Sequence, residues 1–96
     1  MIALGTLIGK TQDQIASDLG GEVVVLNIQH GIYYGVDDVG VTIWQLLDQP
    51  RTPEAIRDAV LAKYDVDPEE CERDLLRFLE QLLNAGLIEV RDAGHT

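Results

Sequence analysis

What this chain lacks narrows it first. It has one cysteine, Cys71, so it cannot close a disulfide on itself. A single thiol suits a reducing compartment. Basic residues are scarce: seven lysines and arginines stand against seventeen acids, for a net charge of −10. A nucleic-acid binder must set basic side chains against phosphates, and seven scattered ones make no basic face. The partner expected of such a surface is neutral or cationic, such as a peptide or another protein. No apolar run approaches the roughly 18–20 residues that span a bilayer. The apolar start, MIALGTLIGK, is short and has no basic lead, so it reads as no signal peptide and the protein as cytoplasmic.

The chemistry of catalysis is also missing. Ser17 is the only serine, and the two histidines, His30 and His95, are far apart in sequence. His30 falls in an expected turn and His95 in the C-terminal tail, and no motif joins them to Ser17 as a triad. One cysteine and two distant histidines make no zinc site. Gly20-Gly21 is followed by neither a Lys-Ser/Thr pair nor a helix start, so it is no phosphate loop. Cys71 sits among Glu69, Glu70 and Glu72, which raise a thiol pKa and work against a reactive thiolate. The reading is a protein that is not an enzyme and needs no cofactor or metal.

What is present has clear punctuation. Residues 1–11 carry little pattern and read as an extended or loose arm. Asp13 to Leu19 is weakly strand-like, Gly20-Gly21 is a turn signal, and Glu22 to Ile28 is a β-branched run of strand length. After Gln29-His30-Gly31, Ile32 to Val36 is the second arm of a hairpin. Alternation puts Ile32, Tyr34 and Val36 on one face and Tyr33 and Gly35 on the other. Three helices follow. The first, capped by Asp37 or Asp38, carries Ile43, Trp44, Leu46 and Leu47. The second starts at Thr52-Pro53-Glu54 with proline in the first helical position. The third starts at Asp67-Pro68-Glu69-Glu70, a capping-box spacing, and stops at Gly86. Leu87 to Val90 reads as a short strand returning to the body.

The third helix is the most informative element. Cys71, Leu75, Leu79 and Leu82 lie within about 80° of one another, which makes a core stripe. Phe78 widens that stripe on one side, and Leu76 and Leu83 widen it on the other. The resulting arc of about 160° exceeds what one packing contact needs. Such a helix is either wedged between two elements or keeps an exposed apolar edge. Trp44, Ile43, Leu46 and Leu47 read as plain core. Tyr34, with Ile32 and Val36, is core or groove. Tyr33 is a cross-strand surface residue or a ligand contact.

Strands followed by three capped helices outline a winged helix-turn-helix body, an α+β fold with a three-stranded antiparallel sheet. That outline alone would suggest DNA binding. The third helix argues otherwise: five acids (Glu69, Glu70, Glu72, Asp74, Glu80) against two bases (Arg73, Arg77) leave it at −3. The chain from about residue 13 to 90 resembles the PqqD family. The resemblance rests on Gly31, Tyr33, Val36-Asp37, Gly40, Ile43-Trp44, Tyr64-Asp65-Val66, Asp74-Leu75, Phe78-Leu79, Leu82 and Gly86-Leu87. Two mild departures are Val36-Asp37 where the family usually has Leu-Asn, and Cys71 where an aliphatic is common.

The resemblance implies a single domain that acts as a recognition element for ribosomally made, modified peptides. Such a domain binds the leader segment of a precursor peptide and delivers it to a processing enzyme. The leader adds as a strand to the sheet edge and packs against the third helix. The short, free-standing form is similar to the leader-binding subunit of split lasso-peptide leader peptidases. PqqD-like chaperones of radical-enzyme pathways are the alternative, and a DNA-binding regulator a weaker one. The site so implied comprises Ile32, Tyr33, Tyr34, Gly35 and Val36 on the strand, with Asp74, Leu75, Phe78, Leu79 and Leu82 on the helix. The expected partners are a leader peptide and its processing enzyme, with no nucleic acid and no membrane.

Overall fold

Proline and the capping side chains set the frame of the helices. A computed structural model describes residues 2–12, 14–18, 22–27, 32–37 and 39–91, with the backbone alone over 14–18, 22–23, 26–27 and 32–37. In chain order the elements are β1 (Ile8–Lys10), β2 (Gln14–Asp18), β3 (Glu22–Asn27), β4 (Ile32–Asp37), α1 (Val39–Leu46), α2 (Pro53–Lys63), α3 (Pro68–Asn84) and β5 (Ile88–Val90). Thr52 Oγ1 accepts the Ala55 N–H at the start of α2, and Asp67 accepts the Glu70 N–H at the start of α3. Each helix has its proline in the first turn, where the missing N–H has no intrahelical partner to lose. At the far end of α3, Gly86 adopts φ 75°, a left-handed backbone that favours glycine. Asp37 is the last residue of β4 rather than a helix cap. Asp38, the turns at Gly20-Gly21 and Gln29-His30-Gly31, and the tail beyond Arg91 lie outside the described residues.

The strands form two antiparallel sheets. One is three-stranded in the order β2-β3-β4, and the other pairs β1 with β5. In the larger sheet Val25 pairs with Tyr34 and Leu26 with Tyr33. The β3 residue Val25 is fully buried in a core shared with Ile43, Trp44 and Leu47 of α1 and its end, Ile56 and Val60 of α2, and Leu75, Leu79 and Leu82 of α3. Two further ties fix the helices. Thr42 and Tyr64 hydroxyls bond at 2.8 Å and join α1 to the end of α2. Arg57 of α2 donates to Glu72 of α3 at 2.7 Å and also pairs with Asp58. The guanidinium of Arg57 is held in its charged form chiefly by the Glu72 hydrogen bond and next by Asp58.

Of the two readings of the N-terminal arm, extended or loose, the loose one is corrected. Ile8, Gly9 and Lys10 pair in register with Val90, Glu89 and Ile88, and Ile8 also exchanges two hydrogen bonds of 2.9 Å with Arg51. Both Ile2 and Ile8 are buried in the core. The physical reason is the apolar character of the arm itself. Eight mostly apolar residues would expose their side chains as a free arm, and the open side of β5 and α3 offers them cover.

Candidate functional site: a sheet edge and the third helix

The sheet order leaves β4 at an edge. It hydrogen-bonds to β3 on one side, which leaves the groups of its other side as a row able to take an added strand. Ile32, Tyr33, Tyr34, Gly35 and Val36 all lie on this strand. From its end the chain passes into α1 within two residues, so the edge is anchored directly to the helical layer.

On α3 the predicted residues separate by depth. Leu75 is 3% exposed, and Leu79 and Leu82 are 0% exposed, so these three sit in the core behind the helix surface. Phe78 is half-buried and packs against the same core. Asp74 is exposed, with its carboxylate 4.0 Å from Arg77 Nη1. A pair that open to solvent is weak and screened by salt, so Asp74 remains able to attract a cationic group. Leu76 and Glu80 lie on the opposite flank of the helix from Phe78 and Asp74, by roughly 120–160° of helical rotation. On that flank the Ile2 N–H donates to Glu80 Oε2 at 2.6 Å, and Ile2, Leu76, Arg77 and Glu80 line an open pocket.

Cys71 is half-buried near the start of α3. Burial is the main cause that pushes its thiol up, with the Asp74 carboxylate next and Glu72 after it, against a lowering by Arg57. The sequence expectation had named neighbouring glutamates; desolvation outweighs them. A thiol held protonated is a poor nucleophile. Among the described residues, no group of three or more His, Cys, Asp or Glu could hold a metal. No helix among them is long and apolar enough to cross a membrane. His30 and His95 lie outside the described residues.

Sequence reasoning missed Ile2, Lys10 and Thr11 as structural contacts. The signal available was the apolar run Ile2, Leu4, Leu7, Ile8, whose alternation is broken by Gly5 and gives no helical or strand period.

The model for the family described as Coenzyme PQQ synthesis protein D (PqqD) matches residues 22–88. The chain belongs to the PqqD family. The matched span runs from β3 into β5, so both candidate walls, β4 and α3, lie within it. Two solved structures share the fold of this PqqD-family chain. TbiB1 in complex with the TbiA(β) leader peptide is 40% identical, aligned over 92% of this chain and 98% of that one, with a TM-score of 0.78. A lasso peptide synthetase B1 complexed with the leader peptide is 22% identical over 85% of this chain and 96% of that one, with a TM-score of 0.73, a likeness of fold alone. No curated protein matches the chain.

Proposed function

We propose that this chain is a non-catalytic adaptor that binds the leader segment of a ribosomally made precursor peptide. In this reading it delivers the leader to a processing enzyme, a leader peptidase of lasso-peptide maturation. The single observation that carries it is the 40% identical relative of the same fold, solved with a leader peptide bound. The leader adds to β4 along Ile32–Val36, with backbone groups supplying affinity and neighbouring side chains supplying choice of sequence. The body is then a winged helix-turn-helix whose wing serves a peptide rather than DNA. Tyr33 and Tyr34 contribute from the strand. Phe78 forms the apolar part of the facing wall, and Asp74 its acidic rim. Leu75, Leu79 and Leu82 hold that wall from behind. A leader anchor buried against Phe78 contributes roughly 1.5–3 kcal/mol before ordering costs.

A second reading has one observation in its favour. The family description concerns coenzyme synthesis, and a PqqD-like chaperone for a radical-enzyme pathway would use the same groove with a different partner. The two readings separate on which processing enzyme is retained together with the peptide-loaded chain.

The decisive experiment is an amide NMR titration of the labelled protein. The added ligands are the TbiA(β) leader, the leader of the precursor encoded beside this gene, and duplex DNA. Saturable shifts in residues 32–36 and 74–82 on addition of a leader are expected, and DNA should cause none. Saturation by DNA alone would overturn the adaptor reading. Leader-induced shifts confined to other residues would keep the adaptor and discard this groove.

A further inference from the structure

The N-terminal segment does more than fill a gap. Within ten residues it touches every helix and β5. Ile2 N–H bonds to Glu80 in the middle of α3, and the Leu4 carbonyl accepts the Glu54 N–H in the first turn of α2. Ile8 pairs with Arg51 in the link between α1 and α2. Lys10 makes an ion pair with Asp48 just past α1, and its ammonium lies 4.3 Å from the centre of the Trp44 ring. Thr11 Oγ1 donates to the Gly86 carbonyl at 2.9 Å, against the turn that ends α3. On the outer side, Arg91 Nη2 donates to the Lys10 carbonyl at 2.7 Å. This segment lies wholly before the span matched by the family model, residues 22–88.

Its placement relative to the groove is what matters. Ile2 contacts the flank of α3 that carries Leu76 and Glu80, and the proposed peptide wall is the opposite flank, with Phe78 and Asp74. A helix held from behind by a buried side chain has its position set by that side chain, because close-packed interiors transmit small displacements.

We propose that residues 2–11 form a positioning strap for the peptide groove, with Ile2 and Glu80 as its anchor on α3. The strap sets where the Phe78–Asp74 wall stands relative to β4. Ile2 is a positioning residue, since it acts through α3 and touches no peptide. The inference rests on the adaptor reading for its effect on binding, though not for its effect on α3.

The test compares Ile2→Ser, Ile2→Val and Ile2→Leu with Ile43→Val, a core deletion in α1 away from the strap. Two quantities are read below the unfolding transition: affinity for the TbiA(β) leader, and amide shifts of residues 75–82 in the free protein. Ile2→Ser is expected to weaken leader binding about tenfold, a typical size for a mutation that modulates a site it does not touch. It should also displace the α3 shifts. The milder Ile2→Val should move both in the same direction if Ile2→Ser does not fold. Ile2→Leu should restore both, and Ile43→Val should leave affinity within about twofold. Unchanged α3 shifts in the Ile2 variants overturn the strap, as does an Ile43→Val variant that loses as much affinity as Ile2→Ser. If the wild-type chain binds no leader, the adaptor reading falls and the free-protein shifts alone decide the strap.

Discussion

Phe78 and Tyr33 are the two residues that test the proposed groove. Phe78 is half-buried against the core, so Phe78→Ala should act twice. It should lower the melting temperature, because a core contact is lost, and it should weaken leader binding about tenfold or more, because an anchor loses its wall. Tyr33→Ala should weaken binding with a smaller effect on melting. Calorimetric titration beside thermal melts separates the two effects, and full affinity in both variants would remove the site assignment. Cys71 offers an independent check on the electrostatics. Its raised thiol pKa predicts slow alkylation at neutral pH that accelerates as pH rises past the ordinary thiol range. Asp74→Asn should speed the reaction at a given pH, since it removes a carboxylate that disfavours the thiolate. A rate unaltered by Asp74→Asn would leave burial and Glu72 to hold the thiol up.

At the scale of elements, the helix caps are the clearest case of local sequence dictating local structure. Thr52 and Asp67 each accept a backbone N–H three residues on, and each precedes a proline that can start a helix and cannot continue one. Thr52→Ala and Asp67→Ala should each cost about 1 kcal/mol in chemical denaturation. Gly86→Ala should cost about 1–2 kcal/mol, because the left-handed backbone at that turn crowds a Cβ. The same turn receives Thr11, so this variant should also loosen β1 from β5, visible as faster amide exchange at residues 8–10. Protection there equal to wild type would mean that the two ends of the chain are tied independently of the turn.

The whole molecule carries a net charge of −10, and that charge acts on association more than on fold. A leader with basic residues should associate more slowly as salt rises, with the larger change in the on-rate. Stopped-flow association at low and physiological salt measures this, and a rate independent of salt would leave the apolar wall and the strand edge to carry recognition alone. The same charge predicts no measurable affinity for duplex DNA, which a DNA arm of the titration checks directly.

Much of this was decided by residue order alone. The starts of α2 and α3 and the stop of α3 follow from Thr52-Pro53, Asp67-Pro68 and Gly86, because capping and proline act within a turn of the chain. The core stripe Leu75, Leu79, Leu82 follows from helical spacing, since three residues on one face must share one environment. The candidate groove was legible as a strand and a helix with an over-wide apolar arc, and the PqqD resemblance joined them. Tertiary structure decided the rest, because it depends on contacts between residues far apart in sequence. Ile2 meets Glu80 and Ile8 meets Val90; no local period announces such pairings. Those contacts turned the supposed loose arm into a strap. On α3 itself, the middle of the apolar arc faces the core, through Leu75, Leu79 and Leu82, and the proposed groove lies on its Phe78 side.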